Sequence, residues 1–167
     1  MTDQASEIEA QIPALRRYAY ALTRDTETAD DLVQDCLERA LSRWRLHRSG
    51  GDLRAWLFAI LRNLFIDRYR VARRRGEPAQ LDEISTALPP MQEAMLGVGD
   101  ILAALDRLPE EQRSLLLLVG VEDLSYEEAA KVLGVPIGTI MSRLSRARER
   151  LRKTLETGRA PHLRRIK

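Results

Sequence analysis

The sequence predicts an all-α protein of two small helical domains joined by a flexible linker, the second ending in a helix-turn-helix. Three observations predict it. No stretch alternates apolar and polar residues as a half-buried strand does, whereas Ala, Leu, Arg and Glu recur at helical spacing. The seven prolines stand at 13, 78, 89, 90, 109, 136 and 161, so the chain between Pro13 and Pro78 is free of them. From Gly76 to Gly99, three prolines, three glycines and small polar residues break every period.

The elements follow in order. A first helix is expected from Ile12 to Arg24, and "RDTET" turns the chain. A second runs from Ala29 to Arg45 with Thr28 as its N-cap. "HRSGGD" is a loop, and Asp52 caps a third helix that continues past Tyr69. Residues 1–75 form the first domain and 76–99 the linker. The linker carries Glu77, Asp82, Glu83 and Glu93 and no base, a net charge of −4. A short helical turn is expected within it at Met91–Met95. Residues 100–157 form the second domain, opening with a helix over Asp100–Leu108, and 158–167 are a basic tail. Pro109 suits the first turn of the apolar segment "PEEQRSLLLLVGVE".

Ser125 and Glu128 have capping-box spacing. Gly134 is placed to end that helix in the left-handed region, and a last helix starts near Ile137. Small Ala130, Gly134 four residues on and apolar Ile140 give the helix-turn-helix spacing. On the last helix Ile140, Leu144, Ala147, Leu151 and Leu155 fall in one stripe. Thr139, Arg143, Arg146, Arg150 and Lys153 gather on another face, beside Ser142 and Ser145. Six bases and one acid between Thr139 and Lys153 give +5. Such a helix, behind a capped helix and a glycine corner, is built to enter a DNA major groove.

A second basic site lies at Arg62–Arg75, with six arginines and one acid, again +5. Asn63, Phe65 and Tyr69 are interleaved with Arg68, Arg73, Arg74 and Arg75, a mixture suited to unpaired bases and phosphate. The opposite face, with Leu53, Trp56, Leu57, Ile60, Leu61 and Leu64, belongs to a core. The second helix reverses the sign. Val33, Leu37, Ala40 and Trp44 form its buried side. Asp31, Gln34, Asp35 and Glu38 form an acidic stripe opposite, which by spacing alone reads as solvated surface.

Other functions find little support. Net charge over 167 residues is only +2, so its distribution carries the argument. Cys36 is the sole cysteine, beside the apolar face, which fits a reducing cytoplasm and a core role. His47 falls in a loop and His162 in the tail, neither with metal-ligand spacing. No metal, cofactor or catalytic residue is expected. "MTDQASEIEA" lacks the basic start and apolar run of a signal peptide, and no apolar run is long enough to span a membrane.

Three segments, "ADDLVQDCLERAL", "LRAWLFAILRNLFIDRYRVARRR" and "LPEEQRSLLLLVGVEDLSYEEAAKVLGVPIGTIMSRLSRARERL", resemble extracytoplasmic-function sigma factors, the small sigma-70-type initiation factors of bacteria. The likeness covers Pro13 to Leu155. It implies that Asp31, Gln34, Asp35 and Glu38 dock on the β′ clamp helices of core RNA polymerase, with further contact to the β subunit. It places Asn63 where the family holds a flipped base of the −10 element. Arg68, Tyr69 and Arg73–Arg75 then face −10 DNA, and the last helix reads the −35 element through Thr139, Ser142, Arg143, Ser145, Arg146 and Arg150. The acidic linker would thread toward the active-site channel and RNA exit path. Met141 stands where the family often has Lys or Arg, which leaves Ser142, Ser145 and Arg146 as the better readers. An anti-sigma partner is implied. "RRYAYALTRDTETADDLVQD" resembles the branch linked to general stress responses. The alternatives are an ordinary helix-turn-helix regulator that works without polymerase, and a sigma mimic that sequesters an anti-sigma protein.

Overall fold

The computed structural model describes residues 2–47, 51–76 and 96–163. They form seven α-helices: α1 (Thr2–Thr23), α2 (Thr26–Ser42), α3 (Leu53–Arg74), α4 (Leu96–Asp106), α5 (Glu110–Leu116), α6 (Tyr126–Leu133) and α7 (Ile137–Leu163). A 3₁₀ turn over Trp44–Leu46 follows α2, and a π-helical segment over Leu117–Val121 follows α5. No strand occurs among the described residues. The expected turn at Met91–Met95 lies outside them.

Several boundaries differ from expectation, each for a local reason. Helix α1 starts ten residues before Ile12 and carries Pro13 inside it. An interior proline lacks one ladder hydrogen bond and crowds the preceding turn, but Ile8 continues the buried stripe of Leu15, Tyr18, Ala19 and Leu22 and so keeps the turns before it in the helix. The N-cap of α2 is Asp25, not Thr28; its carboxylate accepts from the Thr28 N–H at 3.0 Å and from the Thr28 hydroxyl. These bonds hold its pKa below the usual carboxylate range. Helix α2 ends at Ser42, and Trp44 and Arg45 belong to the 3₁₀ turn. Helix α4 begins at Leu96, four residues inside the expected linker, in spite of Gly97 and Gly99. Helix α7 runs on to Leu163, so much of the expected tail is helical.

Helices α1–α3 pack around Leu15, Leu22, Leu32, Leu57, Phe58 and Leu61, with the Tyr18 and Phe58 rings edge-to-face at 5.2 Å. Cys36 is buried in this core, its thiol donating to the Leu57 carbonyl, and burial pushes its pKa up to about 12. The thiol is therefore inert at neutral pH. Val33 and Ala40 are buried as expected, whereas Leu37 is half-buried and Trp44 sits at the edge, 6.3 Å from Trp56. A smaller core of Leu115, Ala129, Ile140 and Leu144 holds α5, α6 and α7 together.

The halves do not merely follow one another along the chain. Leu105, Leu108, Leu117, Leu118, Leu124 and Val132 from the second half complete the core of the first. Around this apolar seam lies a ring of ion pairs. Glu122 is buried and accepts from Arg17 through two nitrogens, at 3.2 and 3.1 Å, and from Arg54 at 3.2 Å. The π-helical segment delivers it there: the Glu122 N–H reaches back to the Leu117 carbonyl at 3.0 Å, one residue further than an α-turn. Arg24 lies 3.5 Å from the buried carboxyl of Asp106, whose pKa is raised by that burial. Arg62, also buried, donates through two nitrogens to Glu110 at 3.2 and 2.9 Å.

Candidate nucleic-acid interface

The helix-turn-helix forms from the local signals. The Glu128 N–H donates to the Ser125 hydroxyl at 3.1 Å, and the Ser125 N–H donates to the Glu128 carboxylate at 2.7 Å. This reciprocal pair satisfies two of the free donors at the start of α6. Gly134 takes φ 67°, ψ 35°, and the Val135 N–H bonds the Ala130 carbonyl at 3.1 Å. That left-handed corner favours a residue without Cβ. Ile140, Leu144 and Ala147 of α7 are buried, and Leu151 and Leu155 are half-buried further along.

The other side of α7 is open. Ser142, Ser145, Arg146 and Arg150 are exposed, and Thr139 is half-buried at the start of the helix. The Ser142 hydroxyl donates to the Thr139 carbonyl at 3.1 Å. Arg146 and Arg150 enter no ion pair among the described residues, whereas Arg143 is half-buried and paired with Glu111 at 3.1 Å. Met141 is exposed. Arg152 is held between Glu149 and Glu156 at 2.7 and 2.6 Å, so that edge of the helix is electrically quiet.

The second basic face lies on the C-terminal half of α3. Asn63 is exposed at a cleft of about 880 Å³ walled by Arg39, Arg62, Phe65, Tyr69, Arg70, Arg73 and Arg74. Phe65 and Tyr69 stand 6.3 Å apart, their rings tilted by 31°. Arg75 is exposed just beyond. Phe65 is buried in the core, so a carboxamide, the Tyr69 ring and several guanidinium groups around one opening are left to hydrogen-bond a base edge, stack on its face and hold its phosphate. Glu110 and Glu111 of the second half wall the same cleft.

The acidic stripe on α2 is solvent-facing: Asp31, Gln34 and Glu38 are exposed, and Gln34 donates to Glu38 at 3.3 Å. Asp35 differs from its neighbours. It is ion-paired with Arg68 of α3. The expected polymerase face and the expected −10 face thus meet at one pair. Sequence spacing did not indicate this contact, nor the roles of Arg62, Glu110, Glu111 and Glu122, which pair across long separations.

Two family models match separate parts of the chain. Residues 8–62 match "Sigma2 domain of PhyR" and residues 99–151 match "Sigma-70, region 4". The chain is 46% identical over 146 residues to the ECF RNA polymerase sigma factor EcfG of Rhodopseudomonas palustris, covering 87% of this chain and 81% of that protein. The chain belongs to the extracytoplasmic-function sigma factor family. A second relative, the ECF RNA polymerase sigma factor SigE of Mycolicibacterium smegmatis, is 38% identical over 83% of this chain and 56% of its own length. Among solved structures, the sigma factor RpoE of Bartonella quintana, crystallised with the anti-sigma factor NepR, is 38% identical with a TM-score of 0.78, covering 93% of this chain and 98% of that one. About half of the anti-anti-sigma factor PhyR of the same organism shares the fold, with a TM-score of 0.59 at 18% identity, covering 89% of this chain and 49% of that one. Sigma factors are not an enzyme class, and no helix among the described residues is long and apolar enough to cross a membrane.

Proposed function

We propose that this sigma factor directs core RNA polymerase to promoters from the cytoplasm, with its two basic faces on separate promoter elements. The first half, within residues 1–75, docks on core polymerase through Asp31, Gln34, Asp35 and Glu38 and takes a base of the −10 element at Asn63. Arg73, Arg74 and Arg75 hold backbone phosphate beside it. The second half, within 100–157, lays α7 in the −35 major groove, with Ser142, Ser145 and Arg146 toward base edges and Arg150 toward phosphate. The observation that carries this reading is the cleft at Asn63, where carboxamide, aromatic and guanidinium groups converge. A helix-turn-helix that only binds duplex DNA has no use for it. The work is binding and strand separation, with no covalent chemistry. Because the relative from Bartonella quintana is crystallised with NepR, an anti-sigma protein of that type is the natural regulator.

One observation favours a second reading. The first half matches the sigma2 domain of PhyR, and a chain built to imitate a sigma factor could serve only to titrate an anti-sigma protein. Such a mimic needs neither DNA face, and this chain carries both. Asn63→Ala separates the readings. Open-complex formation should slow about tenfold or more, as expected when a positioned hydrogen bond to an extruded base is lost. Binding to closed duplex should change less than twofold, because the base is presented only after extrusion. The measurement is permanganate reactivity of the −10 region against time. Unchanged kinetics would remove Asn63 from the pocket.

A further inference from the structure

Glu110 and Glu111 lie between the two DNA faces and engage both. Glu110 takes two nitrogens of Arg62, the neighbour of Asn63, and Glu111 takes Arg143 of the −35 helix. Both carboxylates wall the cleft at Asn63. Carboxylate oxygens facing guanidinium groups at 2.9–3.2 Å present what a DNA phosphate would present. Glu110 is also held from behind. The Ser114 hydroxyl donates to it at 2.7 Å, and the buried Tyr18 hydroxyl donates to Ser114 at 3.1 Å. Burial raises the Tyr18 pKa, so that phenol keeps the proton it donates.

We propose that in the isolated chain Glu110 and Glu111 mask the −10 cleft as intramolecular substitutes for DNA phosphate, so that promoter DNA and the closed packing of the two halves compete for the same arginines. The inference rests on the −10 reading of the cleft and adds its regulation. The seam has the charge asymmetry such competition needs. Its arginines, 17, 24, 54 and 62, all come from the first half, and their acids, 106, 110 and 122, all come from the second. Of these arginines Arg62 lines the cleft, and a DNA phosphate brought there can replace Glu110 of the second half as its partner. Opening returns each released acid to water and recovers the desolvation that the closed pairs carry. Closure therefore need not be strong to matter: if about a tenth of the molecules are open, the apparent Kd is about tenfold weaker than that of the open form.

The test uses the full chain and a labelled single-stranded DNA of mixed sequence, about 20 nucleotides long, in fluorescence anisotropy at constant salt. E110Q/E111Q should bind about tenfold more tightly than the unaltered chain. The exposed pair E7Q/E9Q on α1 makes the same change in net charge away from the cleft, and should stay within about twofold. E122Q weakens the far end of the seam without touching the cleft. It should expand the chain in small-angle X-ray scattering and tighten DNA binding with it. If E110Q/E111Q binds no more tightly than E7Q/E9Q, or if E122Q expands the chain with no gain in affinity, the masking is wrong. R73A/R74A tests the underlying reading separately: it should weaken binding in every background, and DNA binding indifferent to it would show that the cleft is not the DNA site at all.

Discussion

Asp31→Arg with Glu38→Arg should abolish association with core RNA polymerase while leaving the fold intact. Both side chains are exposed on α2, and neither enters an ion pair among the described residues. Exposed substitutions of this kind change stability by about 0.5 kcal/mol or less. Like charges set against a complementary surface cost several kcal/mol, roughly a hundredfold or more in affinity. Asp35 is the wrong residue for this reversal, although it belongs to the same stripe. It pairs with Arg68, and an arginine there would repel α3 and disturb the −10 face as well. Co-purification with core polymerase, beside a thermal melt of each variant, checks the prediction. Retained binding would return the stripe to ordinary solvated surface.

Leu144→Ala should be the most damaging single change to the second half. Leu144 is 2% exposed, and its small core holds only three other fully buried residues, Leu115, Ala129 and Ile140. Deleting a buried leucine in this way costs about 2–5 kcal/mol. At roughly 2–4 °C per kcal/mol for a chain of this size, Tm should fall by about 4–20 °C. Loss of −35 binding should accompany the fall, because Leu144 ties α7 to the rest of the helix-turn-helix. Met141, three residues earlier and 53% exposed, is the control: Met141→Ala should leave Tm nearly unchanged. Equal effects would mean that the inner and outer sides of α7 are misassigned.

The helix-turn-helix was legible because its signals are local. Ser125, Glu128 and Gly134 act on backbone within a few residues, and the seam of Ile140, Leu144 and Ala147 follows from helical periodicity alone. The N-cap of α2 was harder. Asp25 and Thr28 are both good caps, and only geometry shows that Asp25 accepts from the Thr28 N–H. Pro13 misled because a proline reads as a helix start, while burial of Ile8 extends the helix through it. The union of the two halves was not legible at all. Its ion pairs join residues 48, 68 and 105 positions apart, and each arginine looks like any other until the partner is in view. Arg62 shows this best. Within a run of six arginines it reads as another DNA contact, yet it is buried and bound to Glu110. Glu122 needed one more element that periodicity does not reveal, the π-helical turn that aims it at Arg17 and Arg54.

Transcription with purified core RNA polymerase, with transcript 5′ ends mapped across genomic DNA, tests the central claim most directly. Addition of this chain should create new start sites that share one element near −10 and another near −35, and the Asp31→Arg, Glu38→Arg variant should erase all of them. A chain that binds its anti-sigma protein but neither associates with core polymerase nor yields a new start site would be a mimic, and the account given for its two DNA faces would be wrong.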